Sequence, residues 1–180
     1  MKVKIKKLVD NAKVPTKAHE GDFCYDVYAT SCEEIEPGIW KYSVGLAYEI
    51  VRDNVHLGDK VLYSFDQASN DLCAYSVKSY GLDKAMYDNV KISIDFRPRS
   101  SIFKTGMILS NCEGTLDELY RGEILAYFYE VIPGKEKYKV GDRIGQVKLG
   151  FTLPIEWEVV DELDEDTERG TNGFGSTGLN

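Results

Sequence analysis

Residues 124–151, ILAYFYEVIPGKEKYKVGDRIGQVKLGF, decide how this chain folds. Ile124 to Val131 is an apolar, aromatic run of strand length. Pro133-Gly134 and Val140-Gly141-Asp142 are turns. Arg143 to Phe151 is a second strand, with Val147, Leu149 and Phe151 alternating onto one side.

The same pattern extends towards the N-terminus. Lys91 to Phe96 alternates, with Ile92, Ile94 and Phe96 on one face, and Pro98 ends that strand or holds it at an edge. Ile102 to Leu109 is largely apolar. Val44 to Ile50 is a strand, preceded by a turn at Glu36-Pro37-Gly38. In residues 21–30, Phe23, Tyr25, Val27 and Ala29 share one side of a strand and Asp26 faces the other way; an aspartate is disfavoured in a strand, and its plainest reading is an exposed polar face, with a functional role left open. Asn11 to Gly21 is a loop. Lys2 to Leu8 sets Val3 and Ile5 against lysines, as a charged edge strand does. Towards the C-terminus, Ile155 to Val160 is expected as the last strand. Many strands separated by turns, with few helical windows, predict an all-β sandwich or jelly roll.

The pattern breaks at about residues 53–88. His56 to Lys60 reads as a turn and Val61 to Phe65 as a short strand. Leu82, Ala85 and Met86 fall at helical spacing. This stretch carries no chemical motif and is expected to be an inserted lobe with a small hairpin. The expected organisation is one domain over residues 1–168 that contains this insertion, then a glycine-rich arm over 169–180.

At 180 residues the chain is long enough for one domain with a real core. Apolar residues make up 43% and charged residues 29%, as in ordinary globular domains. The net charge of -8 lacks the basic footprint of a nucleic-acid groove. No window approaches the roughly 20 apolar residues of a membrane-spanning helix. The N-terminus lacks the apolar core of a secretory signal. Cys24, Cys32, Cys73 and Cys112 form no CxxC pair, and two histidines are too few for a zinc cluster. Reduced thiols in a cytosol-like compartment are expected, with nuclear or organellar placement left open.

The chemistry-bearing residues concentrate in Arg99 to Glu123, RSSIFKTGMILSNCEGTLDELYRGE. Arg99, Ser100 and Ser101 suit phosphate oxygens, the guanidinium by bidentate contact. The chain turns at Glu113-Gly114, and Asp117 follows. A carboxylate there could take a proton from an attacking water, or simply bond the local backbone. Tyr120 could be core or a stacking surface. Gln146, inside an apolar strand, needs a partner if buried. The arm holds Gly170, Gly173, Gly175 and Gly178 among Arg169, Phe174, Ser176 and Thr177. It is either a disordered tail or a segment that orders over a ligand.

Five segments in order resemble the homotrimeric dUTP pyrophosphatase (dUTPase) family. They are CYDVYAT at 24–30, PRSSI at 98–102, NCEGTLDELYRGEI at 111–124, GDRIGQV at 141–147 and RGTNGFGSTG at 169–178. The resemblance implies a jelly roll, or distorted β-barrel, that forms a homotrimer with shared active sites. Its implied reaction is hydrolysis of dUTP to dUMP and pyrophosphate with Mg²⁺, which limits uracil in DNA and supplies dUMP for thymidylate synthesis. Asp117 is implied to activate the water that attacks the α-phosphorus. The third segment, with Asn111, Gly114, Thr115, Leu116 and Leu125, is implied to admit uracil and read its edge, and Tyr120 to exclude a 2′-hydroxyl. Arg99, Ser100, Ser101 and Gln146 are implied phosphate ligands. Arg169, Phe174, Gly175, Ser176 and Thr177 are implied to close over them. Mg²⁺ is implied to bind through phosphate oxygens and waters, with Asp26 reaching it through water only.

The chain departs from the family pattern at Cys24 and Ser101, each where glycine is usual, at Leu119 for an acidic residue, and at Gly145 for alanine. Two other readings compete. A dCTP deaminase shares the fold, but Tyr127 stands where its glutamate acid/base would be. A regulatory member of the fold would act on a protein partner through the 53–88 insertion.

Overall fold

In the computed structural model, residues 2–52, 89–163 and 167 are described in full, and 61–66 and 71–76 by their backbone alone. Among these, regular structure is almost entirely β. The strands are β1 (Lys2–Lys7), β2 (Tyr25–Tyr28), β3 (Ser31–Glu36), β4 (Ile39–Ser43), β5 (Leu46–Val51), β6 (Val61–Asp66), β7 (Asp71–Ser76), β8 (Lys91–Pro98), β9 (Met107–Leu109), β10 (Gly114–Asp117), β11 (Leu125–Glu130) and β12 (Arg143–Thr152). One four-stranded sheet runs β10-β8-β12-β2 and another runs β3-β4-β11-β9. β1 and β5 form a two-stranded sheet, as do β6 and β7. Every pairing among the described strands is antiparallel. This is the expected jelly roll, with the expected hairpin inside the insertion. The rest of 53–88, including Leu82, Ala85 and Met86, lies outside the described residues.

The core forms where the inner faces of the sheets meet. Val27, Ile92, Ile94, Phe96, Ile144 and Val147 come from one large sheet, and Tyr42, Met107, Leu109, Ala126 and Phe128 from the other. Tyr42 meets Phe128 edge-on at 5.5 Å between ring centroids and donates its hydroxyl to the Tyr138 carbonyl at 3.2 Å. Alternation in β8 buries Ile92, Ile94 and Phe96 as expected, because successive strand residues face opposite ways.

Five expectations are corrected. Asp26 is buried, 7% exposed, and not part of an exposed polar face. Phe23 and Tyr25 are exposed, because β2 starts only at Tyr25 and its buried face does not extend back to Phe23. Ser100–Lys104 is a short 3-10 helix, where propensity alone suggested only an apolar run. Ile155–Val160 is not a strand. It has no pairing partner among the described residues, and Ile155, Trp157 and Val159 lie exposed. The bend before β10 also sits slightly earlier than Glu113-Gly114, with Cys112 at φ 57°.

Two ties brace the loop after β10. Gly45, at φ +70°, donates its backbone N–H to Glu123 Oε1 at 2.8 Å. A Cβ there would lie 2.6 Å from Val9 Cγ2 and 2.9 Å from Thr30 Cγ2, so both the space and the left-handed backbone require glycine. Arg52 holds Glu118 from two nitrogens, each at 2.6 Å, and also donates to the Val90 carbonyl. The Arg52 hydrogen bond is the main reason the Glu118 carboxyl titrates below its ordinary value of 4.5.

Gly45→Ala is expected to destabilise the protein by about 2 kcal/mol or more, seen as a lower urea midpoint at unchanged slope. Glu118 has a folded-state pKa below the unfolded one, so its contribution is full above the unfolded value and fades as pH falls through the folded value. Glu118→Gln is therefore expected to cost on the order of 1–3 kcal/mol at pH 7, and the gap to the parent should narrow as pH falls through the folded-state value of Glu118. Urea titrations over a descending pH series measure it.

Candidate active site

β8 divides the sequence-identified residues into two groups. At its start, Ser93 pairs with Asp117 across the β10 ladder. At its end, Arg97 pairs with Gln146 of β12, which in turn pairs with Asp26 of β2.

The first group surrounds a cavity of about 700 Å³, lined by Thr115, Asp117, Glu118, Ser93, Asp95 and Lys148 among others. Within β10, Thr115 and Asp117 are exposed, while Gly114 and Leu116 are half-buried, as strand alternation requires. The Asp117 backbone is fixed: its carbonyl accepts from the Tyr48 hydroxyl at 2.7 Å and from the Tyr120 N–H at 2.9 Å. Burial, and then the Asp117 charge, push the Tyr48 phenol up to about 12, so it remains a donor at neutral pH. Tyr120 folds back over Gly122, where a Cβ would lie 2.3 Å from the phenol oxygen, and its hydroxyl donates to the Glu123 carbonyl at 3.0 Å. That leaves the ring held in place yet 41% exposed. Arg121 closes the turn by donating to the Glu118 and Tyr120 carbonyls at 2.7 and 3.0 Å. Asn111 is exposed on the preceding bend, 3.7 Å from where a Gly114 Cβ would stand. Leu125 is half-buried at the start of β11.

The second group surrounds a polar cavity of about 400 Å³ lined by Asp26, Arg99, Gln146, Cys24, His19 and Asp22 among others. Asp26 lies between two guanidinium groups, with Arg99 Nε 3.0 Å from Oδ1 and Arg143 Nη1 3.1 Å from Oδ2. This pairing explains how a carboxylate is buried in a strand. It also aims Arg99 into the cavity. Ser100 and Ser101 follow in the 3-10 helix, exposed and half-buried. Gln146 is half-buried. A Cβ on Gly145 would lie 2.2 Å from the Phe96 ring, so Phe96 occupies the room that an alanine would need.

The two groups lie apart within one chain. Six strand positions separate Ser93, beside Asp117, from Arg99, a span of about 20 Å. The expected ligands Arg169, Phe174, Gly175, Ser176 and Thr177 lie outside the described residues. Sequence reasoning missed Tyr48, Arg52, Arg143 and the Ser93–Asp95–Lys148 run. Tyr48, Arg52, Arg143 and Lys148 each act through a partner 53 or more positions away, and the Ser93–Asp95 bond gains its setting only from Lys148 across the sheet, so no local motif signals them. Tyr127, where a deaminase glutamate would stand, lies on β11 opposite Lys41.

No described helix is long and apolar enough to cross a membrane. The dUTPase family model matches residues 82–178. The deoxyuridine 5′-triphosphate nucleotidohydrolase of Clostridium novyi is 31% identical, over 99% of this chain and 100% of the relative. That of Helicobacter pylori is 31% identical, over 99% and 98%. Among solved structures, the Staphylococcus bacteriophage 80alpha dUTPase with dUpNHpp superposes with a TM-score of 0.64 at 19% identity, covering 99% of each chain. The dUTPase of S. aureus phage phi11 does so with a TM-score of 0.57 at 14% identity, over 91% of this chain and 99% of that one. Identity along the whole chain with curated dUTPases, a family match over more than half of it, and the same β fold agree with the five ordered segments, and this chain belongs to the dUTPase family.

Proposed function

We propose that this chain, a dUTPase that hydrolyses dUTP to dUMP and pyrophosphate, does so with Asp117 as general base in a site completed by further copies of itself. The observation that carries this reading is the placement of Asp117. It is an exposed carboxylate whose backbone is clamped by Tyr48, at the rim of a cavity, three residues before an exposed aromatic ring. A base must be accessible and fixed at once, since proton transfer needs hydrogen-bond reach to the water. In the reaction a water oxygen bonds to the α-phosphorus, the bond to the α–β bridging oxygen breaks, and pyrophosphate leaves. Asp117 takes the water's proton. Charge on the phosphate oxygens is met by Arg99, Gln146 and the Ser100 and Ser101 hydroxyls.

Uracil enters against the backbone of Gly114 to Leu116, beside Asn111 and Leu125, where backbone donors and acceptors read its edge. Tyr120 packs under the deoxyribose and excludes a 2′-hydroxyl. Arg169, Phe174, Gly175, Ser176 and Thr177 close over the nucleotide, with Phe174 stacked on the base.

The separation of about 20 Å between Asp117 and Arg99 within one chain, too far for one nucleotide's reacting phosphate to meet both, supports a site shared between chains, as in the homotrimer that the resemblance implies. The exposed apolar run at Ile155, Trp157 and Val159 supports association, since such a surface seeks cover.

Mg²⁺ is the expected cofactor. Among the described residues no three His, Cys, Asp or Glu side chains could hold a metal together. Asp26 already faces two guanidinium groups, so the donor set fits contact through water only. When bound to the triphosphate, the ion neutralises charge on its oxygens.

Asp117→Asn is expected to bind dUTP about as well as the parent while kcat falls by at least about 100-fold. Steady-state rates and calorimetric titration with a non-hydrolysable analogue separate the two effects, and normal turnover would refute the base assignment. With dUTP, dCTP and dTTP as substrates, only dUTP should release pyrophosphate. Replacing residues 61–76, whose two strands pair only with each other among the described residues, by a short linker should leave kcat/KM for dUTP within about threefold.

A further inference from the structure

The outward face of β8 holds a polar run that the reaction as described leaves unused. Lys148 of β12 is opposite Asp95 of β8, and Thr115 of β10 is opposite it on the other side. Asp95 is only 8% exposed. Lys148 Nζ donates to its Oδ2, and the Ser93 hydroxyl donates to its Oδ1 at 2.7 Å. Ser93 is opposite Asp117 on one edge of β8 and Gly150 on the other. A Cβ at Gly150 would stand 2.5 Å from both Ser93 Oγ and Asp95 Oδ2. The space for this arrangement therefore depends on a glycine. Ser93, Asp95, Lys148 and Asp117 all line the 700 Å³ cavity.

The direction of the Ser93 hydrogen bond matters. Burial alone raises the Asp95 carboxyl, but hydrogen bonds from Lys148 and Ser93 and the Lys148 charge outweigh it, so Asp95 titrates below its ordinary value. An ionised Asp95 can only accept, so the Ser93 proton is committed to it. What Ser93 presents elsewhere is a lone pair. Its cross-strand neighbour on the same face is Asp117, also an acceptor, with the two Cβ atoms about 5 Å apart as directly opposed residues are. Two acceptors that cannot bond each other, at that spacing beside an open cavity, suit a donor with two protons.

We propose that Ser93 is the second acceptor for the attacking water: one water proton points to Asp117 and the other to Ser93 Oγ, which turns the water's lone pair outward to the substrate. Asp95 and Lys148 are positioning residues that keep the serine hydroxyl in its accepting orientation. When the water oxygen bonds to phosphorus, the proton facing Asp117 transfers to that carboxylate. The other stays on the new phosphate oxygen until it is lost to solvent, and Ser93 ends the step unchanged. This inference rests on Asp117 as base.

The test is a double-mutant cycle on the full-length protein. Ser93→Ala should lower kcat about tenfold with KM for dUTP within twofold, and should lower the melting temperature only slightly, since Asp95 keeps Lys148. Ser93→Thr, which restores a hydroxyl, should recover at least half of the parental kcat. The Ser93→Ala/Asp117→Asn double variant should be within twofold of Asp117→Asn alone, because both side chains hold the same molecule. If Ser93→Ala does not fold, Ser93→Cys, a weak acceptor of similar volume, takes its place with the same expected loss. A parental kcat in the serine variant, a loss confined to KM, failure of threonine to rescue, or multiplicative losses in the double variant each overturns the proposal. Asp117→Asn measured alone reports separately on the base, so failure of the serine arm leaves that assignment standing.

Discussion

Strand β8 is the constraint on which the architecture depends. Its antiparallel ladders to β10 on one edge and β12 on the other fix the relative positions of almost every chemically relevant side chain described. Because side chains in a strand alternate, Ile92, Ile94 and Phe96 enter the core while Ser93, Asp95 and Arg97 face outward. A one-residue slip would exchange these sets and bury two charges and a hydroxyl. The register that makes the core therefore also sets Ser93 beside Asp117 and Arg97 beside Gln146.

Around that strand, buried charge is consistently matched. Asp26 lies between Arg99 and Arg143, Asp95 meets Lys148, and Glu118 meets Arg52. A lone carboxylate in such places would cost several kcal/mol or take up a proton. Each pair also brings together segments distant in sequence. Arg52 belongs to the end of β5 and the border of the insertion, yet it shapes the loop that follows Asp117. The proposed base, Asp117, is exposed and its rigidity comes from its backbone, held by Tyr48 and by the Tyr120 amide. Precision and accessibility are thus supplied by different parts of one residue.

Much of the fold was legible because alternation is local. β1, β5, β8 and β12 follow directly from apolar residues two apart, β11 from a continuous apolar run, and the turns from Pro-Gly and Gly-Asp pairs. The misreadings share a cause. Ile155–Val160 has strand composition, but a strand needs a partner, and none of the described residues supplies one. Asp26 looked like a surface residue because propensity prices an aspartate without knowing that two arginines, more than 70 positions away, will face it. The 3-10 helix at Ser100–Lys104 has no pattern of its own. It follows where Pro98 ends β8, and its C-terminal cap is Thr105, with the N–H bonded back to the Ile102 carbonyl.

By itself the sequence determined the β class and the family and nominated the candidate reacting groups, since these depend on residue types at short spacing: RSS after proline, Asp117 three before Tyr120, a glycine-rich end. Only the tertiary structure decided which of those groups share a cavity. It set Asp117 beside one end of β8 and Arg99 just past the other, placed Arg143 on Asp26, and gave Gly150 and Gly145 their purpose as room for Asp95 and Phe96. The reason is that strand pairing joins residues by register across the sheet, and register depends on how the whole core closes, which no single stretch of chain encodes.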